Sequence, residues 1–155
     1  MIKTRIAVVA VALSFLATAA CFAANAHMGT WKVNEAKSKL HPGMGKTNTV
    51  VYSEKKDQMQ VAVDGVDKDG KPTHGVWTGK PDGKAYKMKG NLAWDAMAYK
   101  VVNDRTYDLT AMKDGKMLWT GKSTVSADGK SRTLTLNGTD ANGKKVKGKV
   151  VYDKE

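Results

Sequence analysis

"YDLTAMKDGKMLWTGKSTVSADGKSRTLTLNG", residues 107–138, reads as three antiparallel strands joined by two tight turns. In the first segment Tyr107, Leu109 and Ala111 fall on one face, and Asp108 and Thr110 fall on the other. In the last, Leu134 and Leu136 oppose Thr133 and Thr135. Between them Trp119 shares a face with Met117 and Val125. Apolar side chains at every second position mark a pleated strand with one buried face, not a helix. The reversals are Asp114-Gly115 and Asp128-Gly129, dipeptides that tolerate the positive φ a tight hairpin demands.

The same pattern extends toward both termini. Asp69-Gly70, Asp82-Gly83 and Asn142-Gly143 repeat the turn signal, each followed by a lysine, and Lys56-Asp57 and Asn103-Asp104 mark two further reversals. Met59, Val61 and Val63 share a face, as do Tyr86 and Met88, and Met97, Tyr99 and Val101. The pattern predicts about ten strands, over 29–34, 47–54, 58–66, 72–80, 84–89, 96–102, 105–112, 116–126, 130–139 and 144–153. One apolar face per strand and short links predict an all-β, up-and-down antiparallel meander. Closing it into a barrel removes exposed strand edges. The longest link, "EAKSKLHPGMGK", predicts one helical turn capped by Asn34 and broken at Pro42-Gly43, lying across one end either as a partial lid or as a plain surface loop.

The meander is preceded by a different kind of segment. Lys3 and Arg5 open the chain, an apolar run follows from Ile6 to Ala20, and Ala24-Asn25-Ala26 has the form of a cleavage site. This order predicts a signal peptide over 1–26 and an exported domain over 27–155, periplasmic or secreted. Cys21, the single cysteine, offers a lipoprotein alternative, with Thr18 standing where such signals usually carry Leu. With the leader removed, 24 basic residues face 15 acidic ones, a net charge of +9. An exported protein of that charge meets anionic membrane surfaces or acidic ligands rather than nucleic acid, unless the lysines merely solvate the outer faces.

The residues resemble a known family. "GTWKV" at the first strand, the ten-strand meander, "DGKSRTLTL" and the terminal "KVVYDKE" are similar to the lipocalin and fatty-acid-binding superfamily, and to small exported bacterial lipocalin-like proteins. The resemblance implies that Gly29 and Trp31 form the Gly-x-Trp signature, with Trp31 packed across the closed end of the barrel. It also implies that Tyr152 is the closing-strand tyrosine that meets a ligand carboxylate together with an arginine two residues earlier. Val150 occupies that arginine's position, so the carboxylate lacks its partner there.

No catalytic constellation is visible. His27, His41 and His74 have no metal-ligand spacing, and no nucleophile elbow, phosphate loop or paired-acid signature occurs. The chain therefore reads as a non-enzymatic protein without a cofactor. His74 is expected to face inward beside Val76, with Trp77 on the opposite face, and Trp94 to cover an open barrel mouth. The one metal arrangement on offer is a copper chelate of the His27 imidazole with a freed α-amine, aided by the Met28 and Met44 thioethers. The expected function is a monomeric carrier or sensor of a small apolar or amphipathic molecule, a lipid among the candidates. Its cavity would be walled by Tyr86, Met88, Met97, Tyr99, Tyr107, Trp119 and Tyr152. The alternative is a solidly packed barrel acting through its basic surface on the cell envelope or as an inhibitor, and cavity volume separates the two.

Overall fold

The computed structural model describes residues 25–139 and 142–155; most of the expected signal peptide (1–24), with Cys21, lies outside them. The described residues form ten strands: β1 (Gly29–Val33), β2 (Lys46–Lys55), β3 (Gln58–Val66), β4 (Pro72–Gly79), β5 (Asp82–Gly90), β6 (Ala96–Asn103), β7 (Thr106–Lys113), β8 (Lys116–Val125), β9 (Ser131–Thr139) and β10 (Lys145–Lys154). All neighbours are antiparallel, and β1 pairs with both β2 and β10, so the meander closes into a barrel. The fold is the expected one, with strand ends within a few residues of those read from the pattern.

The turns account for the registers. At the β7–β8 hairpin Asp114 and Gly115 both have positive φ, at 50° and 75°, the backbone of a two-residue turn whose twist matches its strands. Lys113 is thereby fixed opposite Lys116. Asp82-Gly83, read as a turn, instead lies inside β5, where the register with β6 shifts between Asp82 and Ala85, and the reversal falls at Lys80-Pro81. The short helix is a single 3-10 turn, Glu35–Lys37, whose N-cap Asn34 accepts a hydrogen bond from the Lys37 amide.

Alternation places Val50 and Tyr52, Met59 and Val61, Trp77, Met97 and Tyr99, Leu109 and Ala111, and Leu134 and Leu136 in one buried interior cluster. Two readings of facing are corrected. Met117 is 67 % exposed, because the β7–β8 register slips between Ala111 and Met112 and reverses the facing of that residue relative to Trp119. His74 is on the outer wall, where its Nδ1 lies 2.6 Å from Asp64, while Trp77 is the buried residue, donating from Nε1 to the Met97 carbonyl at 2.9 Å. A large ring inside leaves the alternate positions His74 and Val76 no choice but to face outward.

Candidate ligand-binding site

The two ends of the barrel differ. Toward the β1 end the interior is filled with rings. Trp31 is fully buried, and its indole N–H donates to the His27 carbonyl at 2.7 Å. His27, 1 % exposed, stacks on Tyr107 with ring centroids 4.2 Å apart. Asn25 closes over it, donating from Nδ2 to the Tyr107 hydroxyl at 2.6 Å and accepting the His27 amide at Oδ1. Trp31 and residues 25–28 together plug this end of the barrel. His27 lies inside it with both ring nitrogens buried and unpartnered, and Met28 is half-buried. Among the described residues no three or more His, Cys, Asp or Glu side chains gather as a metal site.

Above the plug the barrel is hollow. A cavity of about 660 Å³ reaches from the Leu40–Thr47 segment and the Asn91–Trp94 link down to Tyr52, Tyr99, Tyr152 and Arg132. Of the seven side chains expected to wall it, Met97, Tyr99, Trp119 and Tyr152 do so. The other three are engaged nearby. Tyr107 belongs to the plug. Tyr86 lies edge-on to Trp77 and donates to Asp82, and Met88 accepts the Trp94 indole N–H at 3.2 Å. Trp94 lines the mouth edge-to-face with Trp119, as its place in the β5–β6 link suggested. The Leu40–Gly45 segment also lines the cavity, consistent with a partial lid.

The residue that sequence reasoning missed is Arg132. It precedes Leu134 and Leu136 on the same face of β9 and is 2 % exposed at the cavity floor. Its register partner on β10 is Tyr152. A guanidinium on the neighbouring strand thus lies beside Tyr152, where Val150 offers no charge. Nη1 donates to the Tyr52 hydroxyl at 3.1 Å and to Ser123 Oγ at 3.2 Å. The guanidinium carbon lies 4.3 Å from the centre of the Tyr152 ring and 5.3 Å from that of Tyr52, both stabilising cation-π placements.

Nothing in the floor neutralises that charge. No Asp or Glu among the described residues is buried. Burial pushes the Tyr152 phenol up to about 12 and Tyr99 well above its ordinary value, so both remain neutral. Burial, helped by the Arg132 charge, lowers the His27 imidazole to about 4, so it too is neutral at pH 7. Arg132 Nε and Nη2 are buried without hydrogen-bond partners. Those two nitrogens form the side-on fork of a guanidinium, the pair whose parallel N–H bonds match the two oxygens of a carboxylate.

No family model and no curated protein matches the chain. Solved structures do. One described as "EF1p2_mFAP2b bound to DFHBI" is 14 % identical, with a TM-score of 0.50 over 86 % of this chain and 97 % of that one. A redesigned β-barrel, mFAP1, bound to DFHBI is 18 % identical, with a TM-score of 0.43 over 83 % and 95 % of the two chains. A further redesigned β-barrel, b11L5F_LGL, is 18 % identical, with a TM-score of 0.48 over 88 % and 97 %. The first likeness extends over nearly the whole described barrel, and what the two chains share is the fold.

Proposed function

We propose that this chain is an exported, non-enzymatic binding protein of the lipocalin and fatty-acid-binding kind, whose ligand is a small amphipathic molecule with an anionic head. The observation that carries the reading is the unneutralised Arg132 at the floor of an apolar cavity. A buried charge costs several kcal/mol unless something pairs with it, and here the missing partner is an anion the size of a carboxylate. The walls of Met97, Leu109, Trp119 and Leu134 suit the apolar remainder. The cavity also weighs against a solidly packed barrel acting through its surface alone. That the similar barrel EF1p2_mFAP2b takes the small molecule DFHBI is in keeping with this use of the fold. Export rests on the leader pattern of residues 1–26.

The test is displacement of 1-anilinonaphthalene-8-sulfonate, a fluorescent sulfonate, by matched competitors. Oleate should displace it at least ten times more effectively than oleyl alcohol, which has the same tail without the charge. Equal displacement by both would remove the anion-anchored reading, and failure of the dye and of both competitors to bind would remove the carrier.

A further inference from the structure

A second concavity lies on the outside of the barrel. β4 and β5 share only three register pairs, Gly75–Gly90, Val76–Lys89 and Trp77–Met88. The ladder stops there, although β4 continues to Gly79 and β5 starts back at Asp82. Where paired strands part, a barrel wall that is otherwise convex acquires a groove. It runs across the outer faces of β3, β4 and β5, with Gln58, Gln60 and Thr78 half-buried in its floor and Lys55, Lys56, Lys87 and Lys89 exposed around it.

The charge of this groove is largely uncompensated. Some lysines pair with acids, Lys46 with Glu35, Lys113 with Asp95 and Lys122 with Asp108, and others such as Lys100, Lys116 and Lys147 do not among the described residues. What sets the groove apart is four unpaired lysines around one concavity. Of the acids on the neighbouring strands and turn, Asp57 is engaged by Lys80 at 3.1 Å and Asp64 by His74 at 2.6 Å, which leaves Glu54, next to Lys55, as one carboxylate against four lysines. The four groove lysines have no ion-pair partner among the described residues. Lys87 and Lys89 share one face of β5, roughly 7 Å apart by strand geometry, and Lys55 and Lys56 lie at the β2–β3 hairpin on the other side of the groove.

The lining selects among polyanions. Base stacking needs several free aromatic platforms, and the one ring lining the groove, His74, is tied through Nδ1 to Asp64 at 2.6 Å. Membrane docking needs exposed apolar side chains, and Val101, Val102, Met117 and Leu118, the large ones that are exposed, all lie elsewhere; Val76 is half-buried. What the groove offers is amide and hydroxyl groups between cations, the donor set for a chain of hydroxyl-rich units with regularly spaced negative charge. We propose that the outer groove over β3–β5 binds an acidic glycan, its carboxylate or sulfate groups on Lys55, Lys56, Lys87 and Lys89 and its hydroxyls on Gln58, Gln60 and Thr78. This site is separate from the barrel cavity and does not depend on a ligand there.

The probe is heparin, with neutral dextran as the uncharged control, titrated by calorimetry in low salt, where exposed charges are least screened. One variant replaces the four groove lysines by Gln. A second replaces Lys100, Lys116, Lys130 and Lys147 by Gln, removing the same charge elsewhere. Thermal melting and far-UV circular dichroism establish that both variants are folded. The groove variant should bind heparin at least ten-fold more weakly than the unmodified protein, the second variant less than three-fold more weakly, and dextran should not bind. Equal losses in the two variants would reduce the effect to net charge and overturn the proposal. So would single-stranded DNA or phosphatidylglycerol vesicles binding as tightly as heparin with the same dependence on the groove lysines, and so would no heparin binding at all.

Discussion

Replacing Arg132 by Met separates the two tasks a buried cation can have, holding the fold and holding a ligand. The substitution keeps an unbranched side chain of similar reach and removes the charge. On the losing side are two hydrogen bonds, from Nη1 to Tyr52 and Ser123, and the cation-π placements over Tyr152 and Tyr52. Hydrogen bonds to charged groups contribute about 1.5–3 kcal/mol each, and a desolvated cation-π pair about 2 kcal/mol. On the gaining side, a buried charge without an opposite partner, carrying two unsatisfied donors, costs several kcal/mol that the thioether does not. The second side offsets much of the first, so the ligand-free variant should lose less than about 3 kcal/mol. With ligand the proteins diverge. At a concentration of 100 Kd the parent gains about 2.7 kcal/mol. Losing a bidentate charged contact weakens binding by about 100-fold, which leaves the variant about 0.4 kcal/mol at the same concentration. For a domain of this size the difference is roughly 7–10 °C in the ligand-induced shift, read by thermal unfolding with and without oleate. A variant that loses more than 3 kcal/mol without ligand yet keeps the full oleate shift would refute the reasoning, because Arg132 would then be a keystone and not an anchor.

Three further outcomes follow from the plug and the walls. His27 is held near 4 in the folded protein against 6.5 unfolded, so the unfolded chain binds more protons between those values. Its contribution, about 3 kcal/mol, is therefore fully present above pH 6.5 and lost as pH falls toward 4. A His27→Phe variant, which keeps a ring against Tyr107, should flatten that part of the stability-pH curve measured by urea unfolding. A protein beginning at His27 loses all the Asn25 contacts and places a new ammonium beside the base of the barrel. It should be less stable than one beginning at Asn25 by about 1–3 kcal/mol, measured on the two purified forms side by side, and equal melting would show the cap to be dispensable. Gly90→Ala puts a Cβ at φ +125°, 2.0 Å from the His74 carbonyl oxygen. It should cost about 2–4 kcal/mol and raise amide exchange in β4 and β5 before the other strands.

The barrel was legible because its grammar is local. Asp114-Gly115 fixes a turn, and the residues on either side then alternate by necessity. The candidate site was legible only in part. Met97, Tyr99 and Trp119 were found because apolar and aromatic side chains on the inward face are expected there, and Tyr152 through the resemblance of the closing strand. Arg132 was missed although its position carried the signal: it is in phase with Leu134 and Leu136, and an arginine in phase with a buried leucine row is either an error of phase or a buried cation. Met117 failed for a different reason. Its phase breaks at a register slip that no local residue announces. The participation of Asn25 and His27 in the plug was hidden because they precede the first strand, where alternation has nothing to say.

The five-residue strand β1 joins the cylinder, with Trp31 opposite Val50 on one side and Lys154 on the other. Of the ten strands it leaves the ribosome first, and the neighbour that completes it leaves last. Until then the nascent sheet has two raw edges, and the loop that must close spans nearly every residue of the barrel, an entropic barrier that slows folding of such non-local pairings. The cylinder therefore cannot be assembled piecemeal during synthesis. Its period of greatest exposure to aggregation falls before the last strand docks, and a chaperone that shields those edges has that interval in which to act.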